Sequence, residues 1–317
     1  MTFNVYIHQA NGTWEWKKDY TAPSPTSIND VDVTLIQNGT RILNLQSDSD
    51  KPFKEVLSIA LNIINLIQLC EGYFHCIDSV EYIASDGQIE HKSIDELKKD
   101  SLIDFYRIHC NFIRGKFELV PLSEVITANS YKSWMDLYKK LTGQYRAFLY
   151  YCIDNEFPID LRMANFIQLC EPIAKYAISS VRSNDCLQNC IRQLVNNYGQ
   201  LVFKKEFEAG IFDSEQKESS KEIFDPDNKT KNGNKSILQK LVNTRVNVLH
   251  YKIKPKECFN SGAEMVIYCD KIYLLYRIAF LNLIGIDICD NKIKTATEYI
   301  ETGMIANYDF STFISNY

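Results

Sequence analysis

The sequence predicts an α+β protein in which an N-terminal β-containing domain is followed by an all-α helical bundle. The first 50 residues contain two Asn-Gly dipeptides between runs of alternating polar and apolar residues. This pattern is typical of β-hairpins, because both turn positions favour positive φ. From about Tyr131 onward, apolar residues recur instead at helical spacing.

In the N-terminal half, we predict strands that pair through the two Asn-Gly turns: Asn4–Gln9 with Thr13–Lys17, and Val31–Gln37 with Thr40–Leu45. Apolar spacing predicts an amphipathic helix over Phe53–Tyr73. Two further strands are predicted, together with a turn at Asp86-Gly87: Ser79–Ala84 and Phe117–Pro121. These elements define a mixed β/α domain over residues 1–129.

The C-terminal half is predicted to be helical, which assigns residues 130–317 to a second domain. The predicted helices lie near residues 131–153, 159–181, 185–204, 235–250, 263–284 and 293–302. Pro172 falls inside the second of them. Because proline lacks a backbone N–H, it is expected to kink this helix or to start a new one. Together the helices predict a bundle.

Composition restricts the class of protein. The net charge is −5, so a nucleic-acid site must be local. Ten cysteines occur without a Cys-x-x-Cys pair, and we interpret them as reduced, buried thiols of a cytoplasmic protein. We expect no metal, no cofactor and, without a Gly-rich phosphate loop, no triphosphatase activity. Neither a signal peptide nor a membrane partner is expected, since the apolar stretch Val56–Leu69 is short and interrupted by polar residues.

Charge is divided sharply in the C-terminal half. Residues 206–227 hold eight Asp or Glu and two Lys, whereas residues 229–256 hold eight Lys or Arg and no acidic residue. An acid-free basic run in an acidic protein is a candidate phosphate-binding surface. A solvated polar loop is the alternative for residues 225–235. The candidate RNA-binding lysines are Lys240, Lys252, Lys254 and Lys256.

Within this run, four residues separate Arg245 from His250. RNA is cleaved when its own 2′-hydroxyl attacks the adjacent phosphate, which requires proton transfer and a cation to hold the developing negative charge. Histidine suits the first task and arginine the second. Five residues along a helix turn two side chains about 140° apart. The pair therefore converges only if Arg245 reaches around the helix or the helix ends near His250; otherwise His250 is a structural residue at a helix end.

The segment Leu241–Tyr251 resembles the Arg-x4–6-His motif of HEPN domains, most closely the ApeA-type HEPN domain of bacterial anti-phage abortive-infection proteins. Leu161–Ala174 resembles the helix of that family that carries an acidic residue, here Glu171. Tyr273–Ile286 resembles the long apolar helix that follows the motif. The resemblance covers roughly residues 131–290, and a β-containing domain ahead of the bundle is similar to the ApeA-type layout.

The resemblance implies a metal-independent endoribonuclease that acts on tRNA or another cellular RNA in anti-phage defence. It implies a homodimer through the HEPN domain, a phage-derived trigger or regulatory partner, and an N-terminal domain that senses the trigger or positions the substrate. Arg245 would bind and polarise the scissile phosphate, and His250 would act as general acid/base or position the 2′-hydroxyl. Glu171 would orient Arg245, and the other supporting residues would be Asn243, Asn247 and Tyr251.

Two departures from the family pattern affect these expectations. Family members often place Asn, Asp or His directly after the Arg, where this chain has Val246. A HEPN-like bundle that binds a nucleotide or a protein partner without cleavage is therefore the alternative function. Tyr251 follows His250 immediately rather than two residues later, so we do not predict modification of that tyrosine. Growth arrest that depends on Arg245 and His250 would separate the nuclease from the binding module.

Overall fold

The computed structural model describes residues 1–9, 20–21, 26–38, 40–72, 75–100, 117–153, 158–213, 236–250, 258–259 and 261–302. The chain forms two compact units, the first from Met1–Asn155 with Phe280–Cys289 and the second from Glu156–Ala279 with Asp290–Tyr317. The predicted α+β class is confirmed, because an antiparallel sheet precedes a mostly helical region. The predicted domain boundary at residues 129 and 130 falls inside the helix Ala128–Ile153 of the first unit.

The first unit contains a seven-stranded antiparallel sheet. Its strands are β1 (Thr2–Gln9), β2 (Tyr20–Thr21), β3 (Thr26–Ile28), β4 (Val31–Asn38), β5 (Thr40–Gln46), β6 (His75–Ile83) and β7 (Ile89–Ser93). The strand order is β2-β4-β5-β1-β6-β7, and β3 also pairs with β4. The second predicted hairpin is confirmed by the pairing of β4 with β5. The Asn11-Gly12 turn and its second strand, Thr13–Lys17, lie outside the described residues.

Helix α1 (Phe53–Glu71) packs against β5 and β6 and ends at Gly72, whose φ of 75° is the left-handed conformation common at helix ends. The predicted helix is thus confirmed. Among the described residues, α1 is the one helix that is long and apolar enough to cross a membrane, by length and composition alone. However, 72% of that apolar window is buried inside the protein.

The described part of the first unit has three further helices: α2 (Ile94–Lys99), α3 (Leu122–Val125) and α4 (Ala128–Ile153), which is kinked at Leu141. The strand predicted at Phe117–Pro121 is wrong, since this segment has no regular structure. Instead, the N–H groups of Phe117 and Leu119 donate to the carbonyls of Glu71 and Cys70. The last carbonyls of a helix have no partner within it, so the extended segment pairs with the end of α1.

The second unit is helical in the part that the structure describes. Its helices are α5 (Ile159–Ala177), α6 (Leu187–Leu194), α7 (Lys204–Glu208), α8 (Ile237–Leu249), α9 (Gly262–Leu283, whose last residues from Phe280 belong to the first unit) and α10 (Asp290–Glu301). A π-helical turn, Val195–Gly199, follows α6 and divides the helix predicted over 185–204. The expected interruption at Pro172 is not found, because α5 continues through this residue as one helix.

The described cysteines are free thiols. Four of them are buried, as predicted: Cys70, Cys170, Cys190 and Cys269. The prediction is wrong for Cys186 and Cys289, which are exposed. Burial raises the pKa of Cys170 to about 12, although a hydrogen bond with Tyr276 opposes this rise. The Cys170 thiol is therefore a packing group and not a nucleophile.

Each unit contains a buried cluster of charges. In the second unit, the ammonium of Lys271 donates to Glu206 at 2.6 Å and to Glu301 at 2.8 Å. In the first unit, Arg41 donates to both carboxylate oxygens of Glu71 at 2.7 and 2.9 Å, and His75 Nε2 lies 2.9 Å from Glu71 Oε2. Burial by itself raises the pKa of Glu71, but His75 and Arg41 together lower it to about 2.

The Arg41–Glu71 pair predicts a large effect of one substitution. Arg41→Met leaves the buried Glu71 carboxylate without its bidentate partner, and we expect the free energy of unfolding to fall by about 3 kcal/mol. Urea titration followed by the fluorescence of buried Trp134 measures this loss. Lys54→Met removes an exposed positive charge from the same unit and is the control. Equal stability of the two variants would contradict the prediction.

The same pair predicts the direction of a pH dependence. Because folding lowers the pKa of Glu71 from 4.5 to about 2, its contribution to stability is fully present above pH 4.5 and is lost as the pH falls towards 2. We expect Glu71→Gln to be destabilised at neutral pH and to lose less stability than the wild type between pH 5 and pH 3. Parallel acid-unfolding curves of the two proteins would be evidence against this role.

Candidate functional site

Helix α8 carries the Arg-x4-His segment and has defined ends. It begins after Ser236, whose hydroxyl accepts a hydrogen bond from the N–H of Gln239 at 3.2 Å, as is common for a serine N-cap. It ends at Leu249, and His250 follows with φ −109° and ψ 7°, outside helical geometry. The last turn is closed by the N–H of His250, which donates to the carbonyl of Val246 at 3.2 Å.

The side chains of Arg245 and His250 meet at this helix end, where Arg245 Nη1 lies 3.3 Å from His250 Nε2. The 140° separation expected on a continuous helix does not apply, because His250 has left the helix. Of the two conditions stated for convergence, the structure meets the second. His250 is exposed and Arg245 is half-buried. The two groups therefore form a pair within one chain that solvent can reach.

The chemistry of the two groups gives the direction of this contact. A guanidinium has only hydrogen-bond donors, so Arg245 Nη1 is the donor and His250 Nε2 the acceptor. An imidazole nitrogen that can accept a hydrogen bond can also accept a proton, as proton transfer requires.

Three polar side chains of α5 are linked by hydrogen bonds, and the first of them binds the Nε–H of Arg245. Arg245 Nε donates to Gln168 Oε1 at 2.7 Å. Gln168 Nε2 donates in turn to Glu171 Oε2 at 3.4 Å, and the Lys175 ammonium donates to Glu171 Oε1 at 2.6 Å. The three α5 residues lie at positions i, i+3 and i+7 and share one helix face. The hydrogen bond with Glu171 raises the pKa of Lys175.

Glu171, which the resemblance implies orients Arg245, does not contact it directly. Glu171 makes no hydrogen bond or ion pair with Arg245; the amide of Gln168 lies between them. Gln168 was not among the site residues predicted from the sequence, because its role depends on how α5 packs against α8. In the described part of the chain, no carboxylate forms an ion pair with Arg245. Among the described residues, the side-chain partners of the guanidinium are an amide oxygen and an imidazole nitrogen.

The other predicted site residues have different environments. Asn243 is buried, and its Oδ1 accepts a hydrogen bond from Gln239 Nε2 at 3.0 Å, so it supports α8 rather than facing a ligand. Asn247 is half-buried one turn later. The Lys240 ammonium lies 5.9 Å from the ring centroid of Phe259, a cation–π arrangement. The remaining candidates lie outside the described residues: Tyr251, Lys252, Lys254 and Lys256.

The placement of the histidines can be tested chemically. We expect diethyl pyrocarbonate to modify the exposed His250 and His91 in the native protein, and to leave His75 unmodified because it is fully buried. Peptide mass spectrometry after brief treatment measures each site. In urea, His75 should become as reactive as the other two. Modification of native His75 at the rate of His250 would contradict the described structure.

Among the described residues, no group of three or more His, Cys, Asp or Glu side chains is placed to hold a metal ion. Comparisons with family models, curated proteins and solved structures find no match to this chain. The HEPN resemblance therefore rests on the motif residues themselves, Arg245 and His250 above all, and on the order of the helices around them.

Proposed function

We propose that this protein is an endoribonuclease of the HEPN type, in which Arg245 and His250 cleave RNA through attack by its own 2′-hydroxyl. One observation carries the proposal: a guanidinium and an imidazole converge at 3.3 Å at a solvent-accessible helix end. A cation for the phosphate and a group that moves protons are the two requirements of this reaction.

The proposed reaction forms a bond between the 2′-oxygen and phosphorus and breaks the bond between phosphorus and the 5′-oxygen. His250 takes the proton of the 2′-hydroxyl as general base, and the leaving 5′-oxygen receives a proton from the imidazolium so formed or from water. Arg245 donates hydrogen bonds to the non-bridging oxygens, where negative charge accumulates. The products are a 2′,3′-cyclic phosphate and a 5′-hydroxyl.

The proposed reaction requires the contact between the two side chains to open, because His250 Nε2 can take the proton of the 2′-hydroxyl only when it no longer accepts from Arg245 Nη1, which lies 3.3 Å away. His250 is the residue that moves in this proposal. It is exposed and lies beyond the last residue of α8, whereas Arg245 is half-buried and held by Gln168. Rotation of the imidazole frees Nε2 for the 2′-hydroxyl and frees Nη1 for the phosphate.

The biological setting of the proposal follows from the resemblance. The substrate would be tRNA or another cellular RNA in the cytoplasm, and cleavage would serve anti-phage defence by abortive infection. The protein would act as a homodimer through its helical domain. The N-terminal domain would sense a phage-derived trigger or regulatory partner, or would position the substrate.

A second candidate is a HEPN-like module that binds a nucleotide or a protein partner and does not cleave RNA. Val246 favours this candidate, because an apolar, half-buried side chain occupies the place of the polar residue common in the family. The two candidates make opposite predictions for cleavage, so one experiment separates them.

We expect purified wild-type protein to cleave RNA to 2′,3′-cyclic phosphate ends with or without EDTA, and its expression to arrest bacterial growth. Arg245→Ala and His250→Ala should each lower the cleavage rate about 10²- to 10⁴-fold and relieve the arrest. His91→Ala, at an exposed histidine of the first unit, is the control and should behave as the wild type. Equal growth and equal RNA integrity in all four proteins would favour the binding module.

A further inference from the structure

We propose that Gln168 is the positioning residue of Arg245: its neutral amide oxygen fixes the guanidinium and leaves the positive charge available to an RNA phosphate. This inference rests on the proposed function, because it concerns the phosphate that Arg245 binds. The contact that carries it is the hydrogen bond from Arg245 Nε to Gln168 Oε1, at 2.7 Å. It joins α8 to α5, two helices that pack against each other in the second unit.

The orientation of the Gln168 amide is determined by its second neighbour. Glu171 Oε2 accepts from Gln168 Nε2 at 3.4 Å, and an ionised carboxylate can only accept. A flipped amide would place its oxygen against this carboxylate and its NH₂ group against the guanidinium, so both contacts would become unfavourable. The 2.6 Å contact with the Lys175 ammonium holds Glu171 in place. The ion pair thus keeps the acceptor of Gln168 directed at Arg245.

The charge of the side chain at position 168 decides whether Arg245 can also bind a phosphate. An acidic residue at position 168 would form an ion pair with Arg245 and compete with a phosphate for it. A glutamine accepts the same hydrogen bond without neutralising the cation. Of the five N–H donors of the guanidinium, the described residues use one for Gln168 and one for His250. In the proposal, the phosphate takes donors that no described residue uses, together with the one released when His250 rotates.

The test measures binding to a probe that cannot be cleaved, a fluorescein-labelled single-stranded 2′-O-methyl oligonucleotide, which has no free 2′-hydroxyl. We expect Gln168→Glu, which keeps the size of the side chain and adds a negative charge, to weaken binding about tenfold by fluorescence anisotropy at low salt. Gln200→Glu makes the same change at an exposed glutamine of the same unit and should stay within about twofold of the wild type.

A double-mutant cycle separates positioning through Arg245 from a general effect of charge. Arg245→Ala should weaken probe binding at least as much as Gln168→Glu does. Adding Gln168→Glu to Arg245→Ala should then weaken binding no further. A tenfold loss in both backgrounds would show that the new charge repels the probe independently of Arg245, and would overturn the inference.

A second readout does not depend on RNA. The Nε–H signal of Arg245 in a ¹H–¹⁵N spectrum, identified by its disappearance in Arg245→Lys, should exchange slowly with water in the wild type. It should exchange fast in Gln168→Ala and remain protected in Gln168→Glu, which keeps an acceptor. Equal protection in Gln168→Ala and wild type would overturn the positioning role. If the wild type fails to bind the probe while protection follows this pattern, the proposed function fails and the positioning of Arg245 stands.

Discussion

The candidate site depends on the end of α8 at Leu249. If the helix continued by one more turn, Arg245 and His250 would point in directions about 140° apart and would meet only if Arg245 reached around the helix. Because His250 adopts φ −109° and ψ 7°, its side chain returns towards the residue five positions earlier. The hydrogen bond from its N–H to the carbonyl of Val246 keeps the last turn closed. A change of backbone conformation at one residue thus produces a pair that a regular helix would keep apart.

Charged groups in this protein occur in two kinds of environment. Arg41 and Lys271 are buried and make hydrogen bonds with carboxylates, as buried charges require. Arg245 is half-buried and is held by an amide and an imidazole. In the buried clusters each cation has at least one carboxylate partner, whereas Arg245 has none among the described residues. This contrast supports a ligand-binding role for Arg245 more strongly than the sequence motif alone does.

Sequence reasoning predicted the elements with strong local signals. The Asn38-Gly39 dipeptide and the apolar spacing over Phe53–Tyr73 are such signals, and the pairing of β4 with β5 and the presence of α1 are confirmed. Phe117–Pro121 was predicted wrongly because its β-forming residues pair with the carbonyls at the end of α1, a tertiary contact that local pattern does not contain. The pair of Arg245 and His250 was visible in the sequence, but Gln168 was not, since glutamine has no characteristic spacing and its role depends on how α5 packs against α8.

Pro172 has a consequence for the backbone of α5. A proline nitrogen carries no hydrogen, so within the helix it cannot donate to the carbonyl four residues earlier, which is that of Gln168. The helix therefore lacks one backbone hydrogen bond, at the carbonyl of Gln168, the residue whose side chain contacts Arg245. A helix that lacks a backbone hydrogen bond at one position bends there at lower energetic cost than elsewhere. Gln168 therefore combines a side chain that contacts Arg245 with a backbone position at which α5 bends more easily.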